Sequence, residues 1–211
     1  MWPGICALPA LLRCERRMKK ILIIQGHPDV KSLCHALADA YEAGAQATSA
    51  QVRRINLHEQ KFDPILHQGL GAEQPLEPDL QAAQQDIAWA EHLVFVYPNW
   101  WGSMPALLKG FFDRTLQPGF AYKYRKQSSR WDKLLTGRTA QLLVTMDTPG
   151  WYYRWVWHRP GHQQMRHTIL GFCGIKITRI TEFSPVQGSS AVQREGWLSR
   201  AMALGLQAFA T

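Results

Sequence analysis

Apolar positions along this chain fall into two alternating rhythms. Lys20–Gln25 (KILIIQ) is a short β-branched run, ended by Gly26-His27-Pro28-Asp29, and reads as a first strand. From Ser32 the spacing Leu33, Ala36, Leu37, Ala40, Tyr41 is helical, with Gly44 expected to close the helix. Residues 52–57 alternate in polarity as a second strand, and 62–66 reads as an extended loop piece. Pro78-Asp79 opens a helix with Leu80, Ala83, Ile87 and Ala90 on one face; proline suits a first turn. The run 93–97 (LVFVY) is a buried strand, and Pro105 opens a helix carrying Leu108, Phe111, Phe112 and Thr115. Strands are expected at 140–145 and 175–180, separated by a Trp- and Tyr-rich loop and a helix around 163–173. Residues 190–209 read as a closing amphipathic helix.

Strands alternating with helices imply βαβ crossovers and a mainly parallel sheet covered on both faces. Five such strands in one domain suit an α/β flavodoxin-like doubly wound fold, with its ligand crevice at the switch between strands one and three. The expected domain runs over residues 18–211. Residues 1–17 differ in composition and lack a basic start, which makes them a poor signal peptide. Met18-Lys19-Lys20 resembles a natural start, so 1–17 is expected to be a disordered tail or an upstream extension.

Composition narrows the class. Hydrophobic residues at 46% and charged residues at 19% are ordinary for a globular protein, and no apolar run is long enough to span a bilayer. The four cysteines form neither a C-x-x-C pair nor metal-ligand spacing, so no metal is expected and the thiols read as reduced, in a cytoplasmic protein. The net charge of +8 comes largely from basic residues mixed with aromatics at 123–133 and 154–167. Such mixtures bind single strands. No nucleic-acid motif accompanies them, so a rim attracting the phosphates of a soluble dinucleotide is the favoured reading and no nucleic acid is expected.

Two loops would meet at the crevice. In the first, Gly26 to Ser32 leads into a helix start whose amides and dipole, with the Ser32 hydroxyl and Lys31 or His27, would hold a phosphate. It is neither a G-x-G-x-x-G fingerprint nor a P-loop. Ser32 as a plain helix cap is the simpler alternative. In the second, Pro98-Asn99-Trp100-Trp101-Gly102-Ser103, two adjacent tryptophans at a strand's carboxyl end favour a flat ligand. Packing under a neighbouring loop or in a dimer interface is the alternative for both.

These segments carry a resemblance. GHPDVKSLCHAL, FDPIL, VFVYPNWWGSMPALLKGFFDRTLQPGFAYKY and LGFCGI together make the chain similar, from about 20 to 197, to the flavodoxin-like NAD(P)H:quinone oxidoreductases, which include DT-diaphorase. The resemblance implies a bound flavin, FAD (or FMN), that takes a hydride from NAD(P)H and passes two electrons to a quinone or nitroaromatic acceptor in a ping-pong scheme. By position, His27, Lys31, Ser32, Leu33 and Cys34 would contact the phosphates and ribityl chain. Pro98, Asn99, Trp100, Trp101 and Gly102 would hold the isoalloxazine, with Trp101 the better candidate to stack on it. Asp147, Thr148, Pro149 and Gly150 match a second ring loop, where the family often has Thr-Thr-Gly-Gly. Cys34 replaces an asparagine of DT-diaphorase. The family's hydride-transfer tyrosine and histidine fall among Tyr152, Tyr153, His158 and His162, with Tyr152 and His158 the expected pair. A homodimer is implied, with no membrane insertion. Some relatives instead serve as ancillary subunits of glutathione-gated potassium efflux systems, which is the alternative role.

Overall fold

The computed structural model describes residues 19–69 and 74–208; the extension expected at 1–17 lies outside them, as does Phe209. Five parallel strands form one sheet: β1 (Lys20–Gln25), β2 (Gln51–Asn56), β3 (His92–Pro98), β6 (Thr139–Thr145) and β7 (Lys176–Phe183), in the order β2-β1-β3-β6-β7. This is the doubly wound order read from the alternation of rhythms, and the direction in which successive strands are added to the sheet reverses between β1 and β3.

The central strands β1, β3 and β6 bury both faces, which is why their runs read as nearly continuous apolar stretches, whereas the edge strands β2 and β7 stay partly exposed. Ile21, Ile23, Val94, Val96 and Leu143 pack under α1 (Leu33–Gln46) and α7 (Ala191–Leu206). Leu22, Ile24, Leu93, Phe95, Leu142 and Val144 pack on the other face, with α2 (Pro78–Trp89) and α3 (Ala106–Thr115). Pro105 caps α3, and Pro78 occupies the first turn of α2.

Gly44 does not close α1. The helix continues to Gln46, and Gly44 is buried where α1 crosses α7: a Cβ there would fall 2.0 Å from the Met202 carbonyl oxygen. Gly205 answers from the other side, since its Cβ would fall 2.1 Å from the Tyr41 carbonyl oxygen. The missing side chains let the two backbones touch.

Three elements were not expected. A hairpin of β4 (Tyr122–Tyr124) and β5 (Trp131–Lys133) follows α3. The Trp-rich segment is a short helix, α4 (Gly150–Trp155), rather than a loop. The expected helix at 163–173 is broken into α5 (Pro160–Gln163), a π-helical turn over Gln164–Ile169 and α6 (Leu170–Cys173). The last strand runs three residues beyond its expected end, to Phe183, because pairing with β6 continues to Thr145↔Phe183. Residues 75–77, ahead of α2, are pinned by the buried Arg114, whose guanidinium donates to Glu77 Oε2 at 2.9 Å and to the Pro75 carbonyl at 2.8 Å.

Candidate active site

The carboxyl ends of β1, β3 and β6 open into a crevice of about 260 Å³. Its first wall is the turn after β1. Asp29 organises that turn: its carboxylate accepts from the Lys31 amide at 2.8 Å, and its own amide donates to His27 Nδ1 at 2.9 Å. An imidazole accepting at Nδ1 carries its proton on Nε2 when neutral. Partial burial lowers the His27 pKa, against an opposing pull from Asp29, so the neutral ring is favoured at pH 7. Ser32 caps α1, its hydroxyl accepting from the His35 amide at 3.3 Å. As the first residues of the helix, Leu33 and Cys34 have no carbonyl one turn back, and the helix dipole adds to the pull of their amides on an anion.

Cys34 forms part of the floor. Its thiol lies 3.2 Å from Thr145 Oγ1, and burial pushes its pKa up to about 12, partly opposed by that hydroxyl. It is therefore a protonated small packing group, not a nucleophile.

The opposite wall comes from β3 and β6. The Asn99 amide donates to the Thr145 carbonyl at 2.7 Å, joining the two strand ends. Trp100 and Ser103 exchange two backbone hydrogen bonds, at 2.8 and 3.0 Å, around a tight turn. The residues at its tip, Trp101 (φ 54°) and Gly102 (φ 79°), are both left-handed, as a two-residue turn of this hand requires. This turn decides the fate of the tryptophans. Trp100 lines the crevice and meets His27 edge-on, with ring centroids 5.4 Å apart. Trp101 points away and is fully exposed, beside a different groove that contains Gly102 and Pro160.

Of the residues expected to bind a flavin, His27, Ser32, Leu33, Cys34, Pro98, Asn99, Trp100 and Asp147 line the crevice. Lys31, Trp101, Gly102, Thr148, Pro149 and Gly150 do not. Lys31 is an exposed turn residue, and Gly150 starts α4 with Pro149 as its cap. Asp29, Thr145, Met146 and Val186 line the crevice without having been expected. Thr145 and Met146 end a strand already expected, so their position was readable; Val186 arrives only through the extra length of β7. Among the described residues, no group of His, Cys, Asp and Glu is arranged to hold a metal.

The expected pair Tyr152 and His158 is not brought together. Tyr152 is half-buried against Trp151 and Trp157, and His158 is exposed at φ 55°. Their neighbours Tyr153 and His162 are the ones the fold joins. The Tyr153 hydroxyl donates to the Gly102 carbonyl at 3.2 Å and accepts from the Gly161 amide at 3.1 Å. His162 Nε2 lies 3.0 Å from Glu182 Oε1, and the Tyr153 and His162 rings meet edge-on at 5.1 Å. Burial raises the Tyr153 pKa, so the phenol stays protonated, whereas the His162 hydrogen bond holds the Glu182 carboxyl below its ordinary value. This chain of groups braces the Trp100–Ser103 turn from behind.

A flavin fits the donor set of the crevice. Helix-start amides and a hydroxyl stand at one end, and Pro98, Trp100 and Met146 give apolar walls beside the polar Asn99 and Thr145. Comparison with known proteins agrees with this fold. A protein of Haemophilus influenzae named an uncharacterized NAD(P)H oxidoreductase is 38% identical over 129 residues, 59% of this chain and 63% of that protein. NAD(P)H dehydrogenase (quinone) 1 of Cavia porcellus is 31% identical over 127 residues, 51% of this chain and 46% of the relative. The chain spans less than two thirds of the length of the first curated relatives it matches. A crystal structure from Streptococcus mutans superposes with a TM-score of 0.75 at 26% identity, covering 89% of this chain and 99% of that one. The model of the family described as having a flavodoxin-like fold matches residues 19–203, and the chain belongs to that family.

Proposed function

We propose that residues 18–211 form one flavin-binding domain that transfers two electrons from NAD(P)H to quinones or related electrophilic aromatics. The observation that carries this reading is the crevice itself, in which a helix-start anion site and an aromatic wall face each other across three strand ends. The names of the relatives, an NAD(P)H oxidoreductase and an NAD(P)H dehydrogenase acting on quinone, support the same chemistry. When bound, a flavin would supply the hydride chemistry, with donor and acceptor served in turn at one site.

The chain's own residues divide the remaining work. The amides of Leu33 and Cys34 and the Ser32 hydroxyl hold phosphate. Lys31, exposed in the turn that leads into Ser32, is the cation that would favour the longer FAD over FMN. Pro98, Trp100 and Met146 exclude water from the ring, and Asn99 offers a polar contact at its edge. Asp147 fixes the far lip by accepting from the Gln187 amide at 2.7 Å. Tyr153 and His162 take the place of Tyr152 and His158 as positioning groups, because they hold the Gly102 carbonyl and hence the turn that aims Trp100. No helix among the described residues is long and apolar enough to cross a membrane.

The test is the absorption spectrum of the purified protein, followed by release and mass identification of the flavin. Bleaching of the flavin band by NADPH and its recovery on adding a quinone are the expected results. Protein that stays colourless with added FMN and FAD would sink the proposal.

A further inference from the structure

A cavity of about 750 Å³ lies away from the crevice at the outer edge of the sheet, and its walls are cationic. Four guanidiniums, Arg159, Arg166, Arg179 and Arg200, line it together with His162 and His167. Glu182 is the one carboxylate among the lining residues, and it is already engaged by His162 and by Arg159, whose Nε sits 3.2 Å away as an ion pair. Among the described residues, no carboxylate pairs with Arg166, Arg179 or Arg200. Holding three unmatched guanidiniums around one space costs Coulomb energy that a bound anion would return.

The backbone is irregular at three of the places that contribute a cation, while Arg200 comes from the regular helix α7. β7 is an edge strand, and its register with β6 shifts so that Ala140↔Ile177 is followed by Gln141↔Arg179, leaving Thr178 as an extra residue. That bulge sets Arg179 on the face of α7, where Arg200 lies. The π-helical turn over Gln164–Ile169 carries Arg166 and His167, and it is accommodated by Gly171, whose Cβ would fall 2.2 Å from the Arg166 carbonyl oxygen. Arg159 itself is left-handed at φ 54°, an uncommon conformation for a long side chain. A bulge, a π turn and a left-handed arginine converge on one cavity. Irregularities of this kind persist where the surrounding structure uses them.

We infer that this edge cavity is a second binding site, for a small anion carrying at least two phosphate groups, such as the diphosphate of a nucleotide. Planar guanidiniums match phosphate oxygens with paired hydrogen bonds, which a lysine cluster would not do. The cavity volume lies in the range of small-molecule sites, and one phosphate would leave most of the cations unmatched. Thr178 and Gln163 add neutral polar groups to the lining.

The experiment is calorimetric titration of the full chain with inorganic pyrophosphate, ADP and orthophosphate in separate arms, at moderate salt. Saturable binding of pyrophosphate or ADP, tighter than orthophosphate, is expected. Tighter ADP would assign a nucleotide source; equal affinities would assign the diphosphate alone. Arg179→Gln combined with Arg200→Gln should weaken that binding by about tenfold or more, since each removes charge-assisted hydrogen bonds. Flavin content and quinone reduction should not change, because neither residue lines the crevice. No saturable binding by the wild type, or equal affinity in the double variant, would overturn the inference. So would tighter capture of a single-stranded oligonucleotide that the same variant abolishes, which would make the patch a nucleic-acid face. The titration reads binding even if the protein proves colourless, so its failure and that of the flavin proposal are separable.

Discussion

Replacing Gly44 by alanine should destabilise the protein even though alanine is the better helix former. The new Cβ would sit 2.0 Å from the Met202 carbonyl oxygen and 2.9 Å from its carbon. A comfortable C···O approach is about 3.3 Å, so α1 and α7 would have to separate by roughly 1.3 Å at the crossing. The obstacle is helix backbone, not a side chain that can swing aside. Overpacking of this kind costs about 1–3 kcal/mol, and the rigid partner places Gly44→Ala at the upper end. The gain from helix propensity returns about 1 kcal/mol. The net loss is about 2 kcal/mol, or a fall in Tm of roughly 4–8 °C for a chain of this length. Gly196→Ala is the matched control. It lies in α7, is exposed, and its Cβ would meet nothing within 4 Å, so it should gain up to about 1 kcal/mol. Thermal unfolding followed by circular dichroism reads both. Displacing α1 also moves the Ser32–Cys34 end that lines the crevice, so Gly44→Ala should retain less flavin. A Gly44→Ala protein as stable as the wild type, with Gly196→Ala stabilised, would show that the helices do not touch there.

Other substitutions test the site and the core. Trp100→Ala should weaken flavin retention by about tenfold through loss of ring contact, whereas Trp101→Ala should leave it unchanged; flavin-to-protein absorbance ratios compare them. Tyr153→Phe removes the hydroxyl that joins Gly102 to Gly161 and should cost about 1–3 kcal/mol in urea unfolding, since both groups are buried. Burial, aided by the Lys19 charge, depresses the His92 pKa to about 4. The unfolded chain therefore takes up a proton below pH 6.5 that the folded one refuses, and stability falls as pH drops from 6.5 towards 4 by up to about 1.4 kcal/mol per pH unit. His92→Gln should flatten that slope in urea titrations at pH 7 and pH 5, and an unchanged slope would count against it. Cys34, with its thiol raised to about 12, should resist alkylation at pH 8 until the protein is unfolded.

How much of this was legible in the sequence depends on whether the controlling contact was local. The central strands were readable because burial on both faces leaves continuous apolar runs, β2 because its polarity alternates, and the order because βαβ alternation permits few topologies. The crevice followed, since strand ends and helix starts lie within a few residues of their signals. What escaped was set by contacts across the sheet. Gly44 looks the same in sequence whether it ends a helix or lets another backbone approach, and only α7 decides between them. The two tryptophans are chemically identical, and the hand of one turn sends Trp100 inward and Trp101 out. Between Asp147 and Gln163 a loop register had to be assumed. Once 150–155 is helical, the face of α4 that meets the Trp100–Ser103 turn carries Tyr153, and Tyr152 is displaced to the rim. The edge cavity was the least readable feature. Its cations come from β7, α7 and the π turn, and their convergence depends on one bulged residue and one wide turn that leave no periodic trace. The basic stretch at 154–167 was visible as charge alone. Its partners Arg179 and Arg200 sit far along the chain, and only the folded edge of the sheet turns that charge into a site.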